Sequence, residues 1–165
     1  MNNHLISEVV KITPKKFEDE RGFFSEIFNN RDYKKFGIED QFVQDNHSFS
    51  KKIGTVRGLH FQSPPHEQSK LIRCVRGSIF DVAVDIRKNS PTFGKWTGHE
   101  LTQVNGCQLF IPVGFAHGFM TLEDNTEVIY KCSNYYYPES EGIIKWNDND
   151  INIMWPLNIQ LIISK

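Results

Sequence analysis

Residues 55–74 read TVRGLHFQSPPHEQSKLIRC and gather an arginine, a histidine and a lysine around a glycine and a Pro-Pro turn. Charged and titratable groups among apolar neighbours are costly to place near a core unless each has a partner or a purpose. In a strand, side chains alternate between faces, so Val56, Gly58 and His60 share one face while Arg57, Leu59 and Phe61 share the other. Past the turn, Lys70, Ile72 and Cys74 align in the same way. Were these two strands neighbours in one sheet, His60 and Lys70 would point into one cavity. A base and a cation around one pocket can take a proton from carbon and hold the charge left behind. A structural histidine beside a surface lysine accounts for the same residues. The rest of the chain has to decide.

The elements that would position these groups read as strands almost throughout. They are expected at residues 5–12, 23–28, 42–49, 55–61, 70–75, 78–86, 96–102, 108–111, 117–122 and 126–133. One short helix is expected at residues 30–36, capped by Asn30 and stopped by Gly37. Turn signals separate the strands, among them Ser63-Pro64-Pro65, Arg76-Gly77, Asn105-Gly106 and Glu123-Asp124-Asn125. Many short strands at close, regular spacing specify an all-β sandwich or barrel. On the strand at 78–86, Phe80, Val82, Val84 and Ile86 make a fully apolar side, while Ile79, Asp81, Ala83 and Asp85 make the other. Two acids facing a concave interior each need a donor, and His117 is the natural partner for one. An open sheet with both acids in solvent fits the pattern as well.

The chain has 165 residues, 39% hydrophobic and 24% charged, which suits one soluble globular domain with a single core. A net charge of -1 lacks the basic excess of a nucleic-acid binder. Cys74, Cys107 and Cys132 are odd in number, widely spaced and without a CxxC pair, as expected of free thiols in a reducing compartment. The start, MNNHLISEVV, lacks the basic and apolar regions of a signal peptide, and no apolar run reaches membrane-spanning length. A cytoplasmic protein that binds neither membrane nor nucleic acid is expected.

Taken in order, RGFFSEIF, FVQDNHS, VRGLHFQ, SKLIRCVRGSIFDVAVDIRKNSPTFGKW, FIPVGFAHGF, YKCSNYY and EGIIKWND resemble the dTDP-4-dehydrorhamnose 3,5-epimerase family over about residues 5–160. The resemblance implies a cupin-type jelly-roll barrel with one or two short helices, filling residues 1–165 as one domain. It implies a homodimer whose N-terminal arm, about residues 1–30, reaches the partner's site. The implied reaction converts dTDP-4-dehydro-6-deoxy-D-glucose into dTDP-4-dehydro-L-rhamnose, on the route to dTDP-L-rhamnose and polysaccharide, without metal or other cofactor. A single C3 or C5 epimerase on a related nucleotide 4-keto sugar is the nearest alternative.

The chemistry explains the residue types. A C4 ketone acidifies the hydrogens on C3 and C5, so inversion needs a base on one face, an acid on the other and a cation or donor near the enolate oxygen. By resemblance His60 of GLHFQ is the base, Tyr130 of VIYK the acid and Lys70 the group near the oxyanion. Strand parity puts Val128, Tyr130 and Cys132 on one face. Arg57 resembles a diphosphate-binding residue, although its parity opposes that of His60, so either Gly58 introduces a bulge or one assignment fails. Gln44 and Asn46 match polar binding positions, His117 pairs with Asp81, and Tyr136 packs on the sugar nucleotide. Arg21, Phe24 and Glu26 of the arm would contact nucleotide across the dimer.

The family carries an Asp after its Trp-Pro segment that orients the catalytic histidine. Here Trp155-Pro156 is followed by LNIQLIISK, ending at Lys165 about where that Asp is expected. Truncation, another residue in its place, or an impaired, non-catalytic sugar-nucleotide-binding cupin would each account for this. A metal-dependent cupin is the remaining rival, but the histidines at 4, 47, 60, 66, 99 and 117 form neither HxH nor HExxH.

Overall fold

The structure is a computed structural model and describes residues 6–163. Twelve strands are formed: β1 Val10–Ile12, β2 Phe17–Asp19, β3 Gly22–Phe24, β4 Gln44–Ser50, β5 Val56–Gln62, β6 Lys70–Arg76, β7 Ser78–Asp85, β8 Trp96–Thr102, β9 Gln108–Ile111, β10 Phe115–Thr121, β11 Thr126–Cys132 and β12 Glu141–Ile143. They assemble into two five-stranded antiparallel sheets, ordered β1-β9-β6-β11-β4 and β12-β5-β10-β7-β8, with β2-β3 as a separate hairpin. The fold is a cupin-type jelly roll.

Alternation sets the interior. Ile72, Cys74, Leu109, Ile111 and Val128 of the first sheet meet Ile79, Ala83, Leu101, Phe115 and Phe119 of the second in one buried cluster. The apolar reverse side of β7 is also core. Val82 and Val84 are fully buried there, because Ile144, Ile151, Ile153 and Trp155 of the C-terminal segment cover them together with Phe80, Ile86 and Trp96. With both faces of β7 covered, Asp81 and Asp85 are fully buried and the open-sheet alternative fails.

The two acids have different duties. Asp85 accepts from Arg87, Ser90 and Thr92 at 2.5–2.9 Å, tying down the β7–β8 connection. Burial alone would raise its pKa, but these donors hold its carboxyl well below the usual range.

The helix starts where expected but ends three residues early, and its cap lies one residue earlier. It spans Asn30–Tyr33, and Asn29, not Asn30, is the cap, its side chain accepting from Asp32 N at 2.8 Å. The chain then tightens into a 3₁₀ turn, Lys34–Phe36, closed by Gly37 at φ 77°. The helix stays short because only Tyr33 of it is buried, against Ile12, Ile38, Leu71 and Phe110. The expected strand at 5–12 contracts to Val10–Ile12, since Ser7 and Glu8 turn; Leu5 lies outside the described residues. The expected strand at 23–28 contracts to Gly22–Phe24 and pairs with β2, which alternation did not signal. Strand β12 was also missed, because three residues EGI carry no period.

Candidate active site

Between the sheets lies a cavity of about 340 Å³. The first sheet supplies Gln44, Asn46 and Ser48 from β4, Lys70 from β6 and Tyr130 from β11. The second supplies Arg57 and His60 from β5 and His117 and Phe119 from β10, with Tyr136 and Glu141 at the rim. His60 and Lys70 therefore meet across the barrel, not as neighbours in one sheet. The turn through Pro64-Pro65 carries the chain from one sheet to the other, which is why the pair faces one cavity without being neighbours.

Arg57 and His60 line the same cavity because the β5–β10 ladder breaks between them. His117 pairs with His60 and Phe119 with Arg57, leaving Gly118 opposite both Gly58 and Leu59. Gly58 sits at φ 111°, where a Cβ would come within 2.5 Å of the His117 carbonyl oxygen. Of the two sequence alternatives for Arg57, the bulge is the one formed. The Arg57 guanidinium is held from β4, donating to Ser50 Oγ and to the Phe49 carbonyl, both at 3.1 Å.

Opposite His60, His117 Nε2 lies 2.7 Å from Asp81 Oδ1, so Asp81 stands behind the wall and positions a cavity histidine. The His117 ring is 6.4 Å from that of Tyr130, centroid to centroid. Lys70 pairs with Cys132, two residues along from Tyr130 on the same face. Desolvation lowers the Lys70 pKa and raises that of Tyr130. It also lowers that of His60; nearby Glu141 opposes this, whereas Lys70 and His117 add to it.

The tyrosine run is anchored from below. Gln44 Oε1 accepts from Tyr136 N at 3.0 Å, and Gln62 Oε1 accepts from Tyr137 N at 2.7 Å. The Tyr136 hydroxyl donates to Glu141 Oε2 at 2.9 Å. Glu141 Oε1 in turn lies 3.1 Å from His60 Nδ1, an ion-pair approach off the hydrogen-bond line, and Nδ1 is buried without an aligned acceptor among the described residues.

Arg21, Phe24 and Glu26 do not line the cavity of their own chain. Arg21 is paired with Asp19 in the β2–β3 hairpin, Phe24 is 70% exposed, and Glu26 accepts from Asn29. Sequence reasoning missed Ser48, Gln62, Phe119 and Glu141. Ser48 follows from parity with Gln44 and Asn46, and its buried Oγ has no hydrogen-bond partner among the described residues. Glu141 had no signal, because β12 was not foreseen. Among the described residues, no three His, Cys, Asp or Glu side chains cluster closely enough to share a metal ion.

A sequence model of the dTDP-4-dehydrorhamnose 3,5-epimerase family matches residues 3–165. The dTDP-4-dehydrorhamnose 3,5-epimerase of Salmonella typhimurium is 54% identical over 154 residues, covering 93% of this chain and 84% of that one. The Legionella pneumophila epimerase, solved in complex with dTDP-4-keto-L-rhamnose, superposes with a TM-score of 0.93 at 49% identity, over 98% of this chain and 86% of that one. The Bacillus anthracis enzyme, solved with TDP and pyrophosphate bound, has a TM-score of 0.93 at 45% identity, over 95% of this chain and 89% of that one. The family match spans nearly the whole chain and the relatives share about half of its residues on the same fold, so the chain belongs to the dTDP-4-dehydrorhamnose 3,5-epimerase family.

Proposed function

We propose that the chain is a 3,5-epimerase of dTDP-4-dehydro-6-deoxy-D-glucose and that its product is dTDP-4-dehydro-L-rhamnose. The observation that carries this is the convergence of His60, Tyr130 and Lys70 from two sheets on one cavity. A neutral imidazole removes the proton next to the C4 ketone, and its low pKa keeps it unprotonated at neutral pH. Lys70 stabilises the enolate oxygen in a partly dry wall, where a charge acts more strongly than in water. Tyr130, whose pKa is raised, keeps its proton until it is delivered to the opposite face. Repetition at the second carbon flanking the ketone completes the double inversion.

In the same reading Arg57 meets the diphosphate, Gln44, Asn46 and His117 fix the sugar, and Tyr136 packs on the nucleotide. Arg21, Phe24 and Glu26 serve the site of a second copy of the chain, with Phe24 stacking on the base. Their exposure in one chain supports that arrangement. The three cysteines are unpaired and buried, which supports a reducing, cytoplasmic setting. No helix of the described residues is long and apolar enough to cross a membrane.

Proton NMR of dTDP-4-dehydro-6-deoxyglucose incubated with the protein in deuterated water tests the reading. Deuterium at both C3 and C5 is the expected result. Exchange at one carbon makes the enzyme a single epimerase, and binding without exchange makes it a non-catalytic sugar-nucleotide protein.

A further inference from the structure

The tyrosine run is held in place by glutamines. Residues 134–137 are irregular chain between β11 and β12, so their main-chain groups need partners other than a strand ladder. Three glutamine side chains supply them from three places. Gln68, on the connection between β5 and β6, donates from Nε2 to the Asn134 carbonyl at 2.8 Å. Gln62, on β5, donates from Nε2 to the Tyr135 carbonyl at 3.1 Å and accepts at Oε1 from Tyr137 N at 2.7 Å. Gln44, on β4, accepts at Oε1 from Tyr136 N at 3.0 Å.

Gln62 is the centre of this set. Its Nε2 also donates to the His66 carbonyl, so the amide uses both donors on main chain and fits in one orientation only. The Pro-Pro turn that follows Gln62 folds back over the run. His66 stacks on the Tyr137 ring with 3.7 Å between centroids, and its Nδ1 lies 2.9 Å from Ser140 Oγ. Glu141, opposite Gln62 in the β5–β12 pairing, holds the far end of Tyr136 by accepting from its hydroxyl at 2.9 Å. Gln62 is 8% exposed, whereas the Tyr136 it supports is 52% exposed. A buried amide aims an open ring.

We propose that Gln62 is a positioning residue for nucleotide binding, which fixes the main chain of the tyrosine run so that the Tyr136 ring is presented to the nucleotide. Gln44 and Gln68 assist it on either side. The inference rests on the reading of Tyr136 as the surface on which the nucleotide packs, and deepens it. With both amide hydrogens engaged by carbonyls, Gln62 acts through the run and not by donating to the ligand. Holding the ring in place beforehand spares the complex the cost of ordering it on binding. Because Gln62 shares β5 with Arg57 and His60, one strand sets the platform, the arginine and the histidine relative to one another.

The test is a double-mutant cycle on dTDP affinity, measured by calorimetry with Gln62→Met, Tyr136→Ala and the protein carrying both. Gln62→Met keeps the side-chain length without the amide and is expected to weaken dTDP binding at least about fivefold, the scale of one lost hydrogen bond. In the Tyr136→Ala background the same change should add less than about twofold, because its effect passes through that ring. In turnover, Gln62→Met should raise KM by a larger factor than it lowers kcat. Half-buried Gln68→Met should act in the same direction by less, and it carries the cycle if Gln62→Met does not fold. Unchanged dTDP affinity in folded Gln62→Met overturns the proposal, as do additive effects in the double variant or a fall in kcat larger than the rise in KM. If Tyr136→Ala itself binds dTDP as tightly as the unaltered protein, the platform reading falls and the proposal with it. If Tyr136→Ala weakens binding and the glutamine variants do not, the proposal alone falls.

Discussion

Arg57 and His60 stand three apart on one strand and face the same cavity, because the ladder gives Gly118 two partners, Gly58 and Leu59. Regular alternation would send one of them to the reverse side of the second sheet, under the C-terminal segment, where Leu59 is fully buried instead. The two side chains share one cavity wall only through this irregularity.

Gly58→Ala is therefore expected to damage both stability and function. The new methyl would meet the His117 carbonyl oxygen at 2.5 Å and Gly118 Cα at 2.6 Å, on a backbone at φ 111°. A loss of at least about 2 kcal/mol is expected, or roughly 4 to 8 °C in Tm for a chain of this size. Thermal unfolding and a dTDP titration would measure it, and an unshifted Tm would show that the bulge tolerates a side chain.

The pH profile follows from three displaced groups. In the proposed reaction His60 must be neutral to act, and its pKa lies below the ordinary imidazole value of 6.5, so kcat/KM should already be rising below that pH. Lys70 must stay charged, and its pKa lies below 10.5, so activity should fall on the alkaline side before a free lysine would titrate. Tyr130 titrates above 10.0 and should not set that limb. A Lys70→Met protein that kept turnover and the same alkaline limb would remove Lys70 from the mechanism.

Asp81 and His117 form a buried pair at 2.7 Å, and removing the acceptor should cost more than altering it. Asp81→Ala is expected to lose about 1–3 kcal/mol, because the His117 nitrogen is left unpartnered. Asp81→Asn offers a carbonyl oxygen in the same place and should lose less. Urea unfolding of the two variants, with kcat for each, separates the hydrogen bond from the charge.

Asp85 predicts a stability change without a change in chemistry. Its carboxyl titrates below its unfolded value in the native protein, so its contribution is present above about pH 4 and fades as pH falls toward the native pKa. Arg87→Ala removes the bidentate donor and should cost about 2–4 kcal/mol at neutral pH, with kcat nearly unchanged. A large loss of kcat in folded protein would mean that the β7–β8 connection serves the cavity directly.

The arm can be tested by complementation. Phe24→Ala should weaken nucleotide binding and His60→Ala should abolish turnover, each when assayed alone. Mixing the two would create a site whose base comes from one chain and whose Phe24 comes from the other. Activity should return to a fraction of the unaltered level if Phe24 crosses between copies, and should not return if each arm serves its own chain.

Period and turn chemistry made an all-β sandwich or barrel legible, and the family motifs narrowed it to the jelly roll. Strands 96–102 and 108–111 fall where expected, and Gly77 and the Asn105-Gly106 turn fall between strands. The family motifs also brought His60, Lys70, Tyr130, Arg57 and His117 to one site on paper, and the cavity gathers all five. What sequence left open were contacts between segments far apart in the chain. It could not say that Lys70 and His60 lie in opposite sheets, because that depends on the path of the turn after Gln62. Nor could it find Glu141, because a three-residue edge strand has no period and becomes a strand only by pairing with β5. Local propensity decides where strands form; which side chains meet is decided by register across the ladder, and a single bulge at Gly58 is enough to change it.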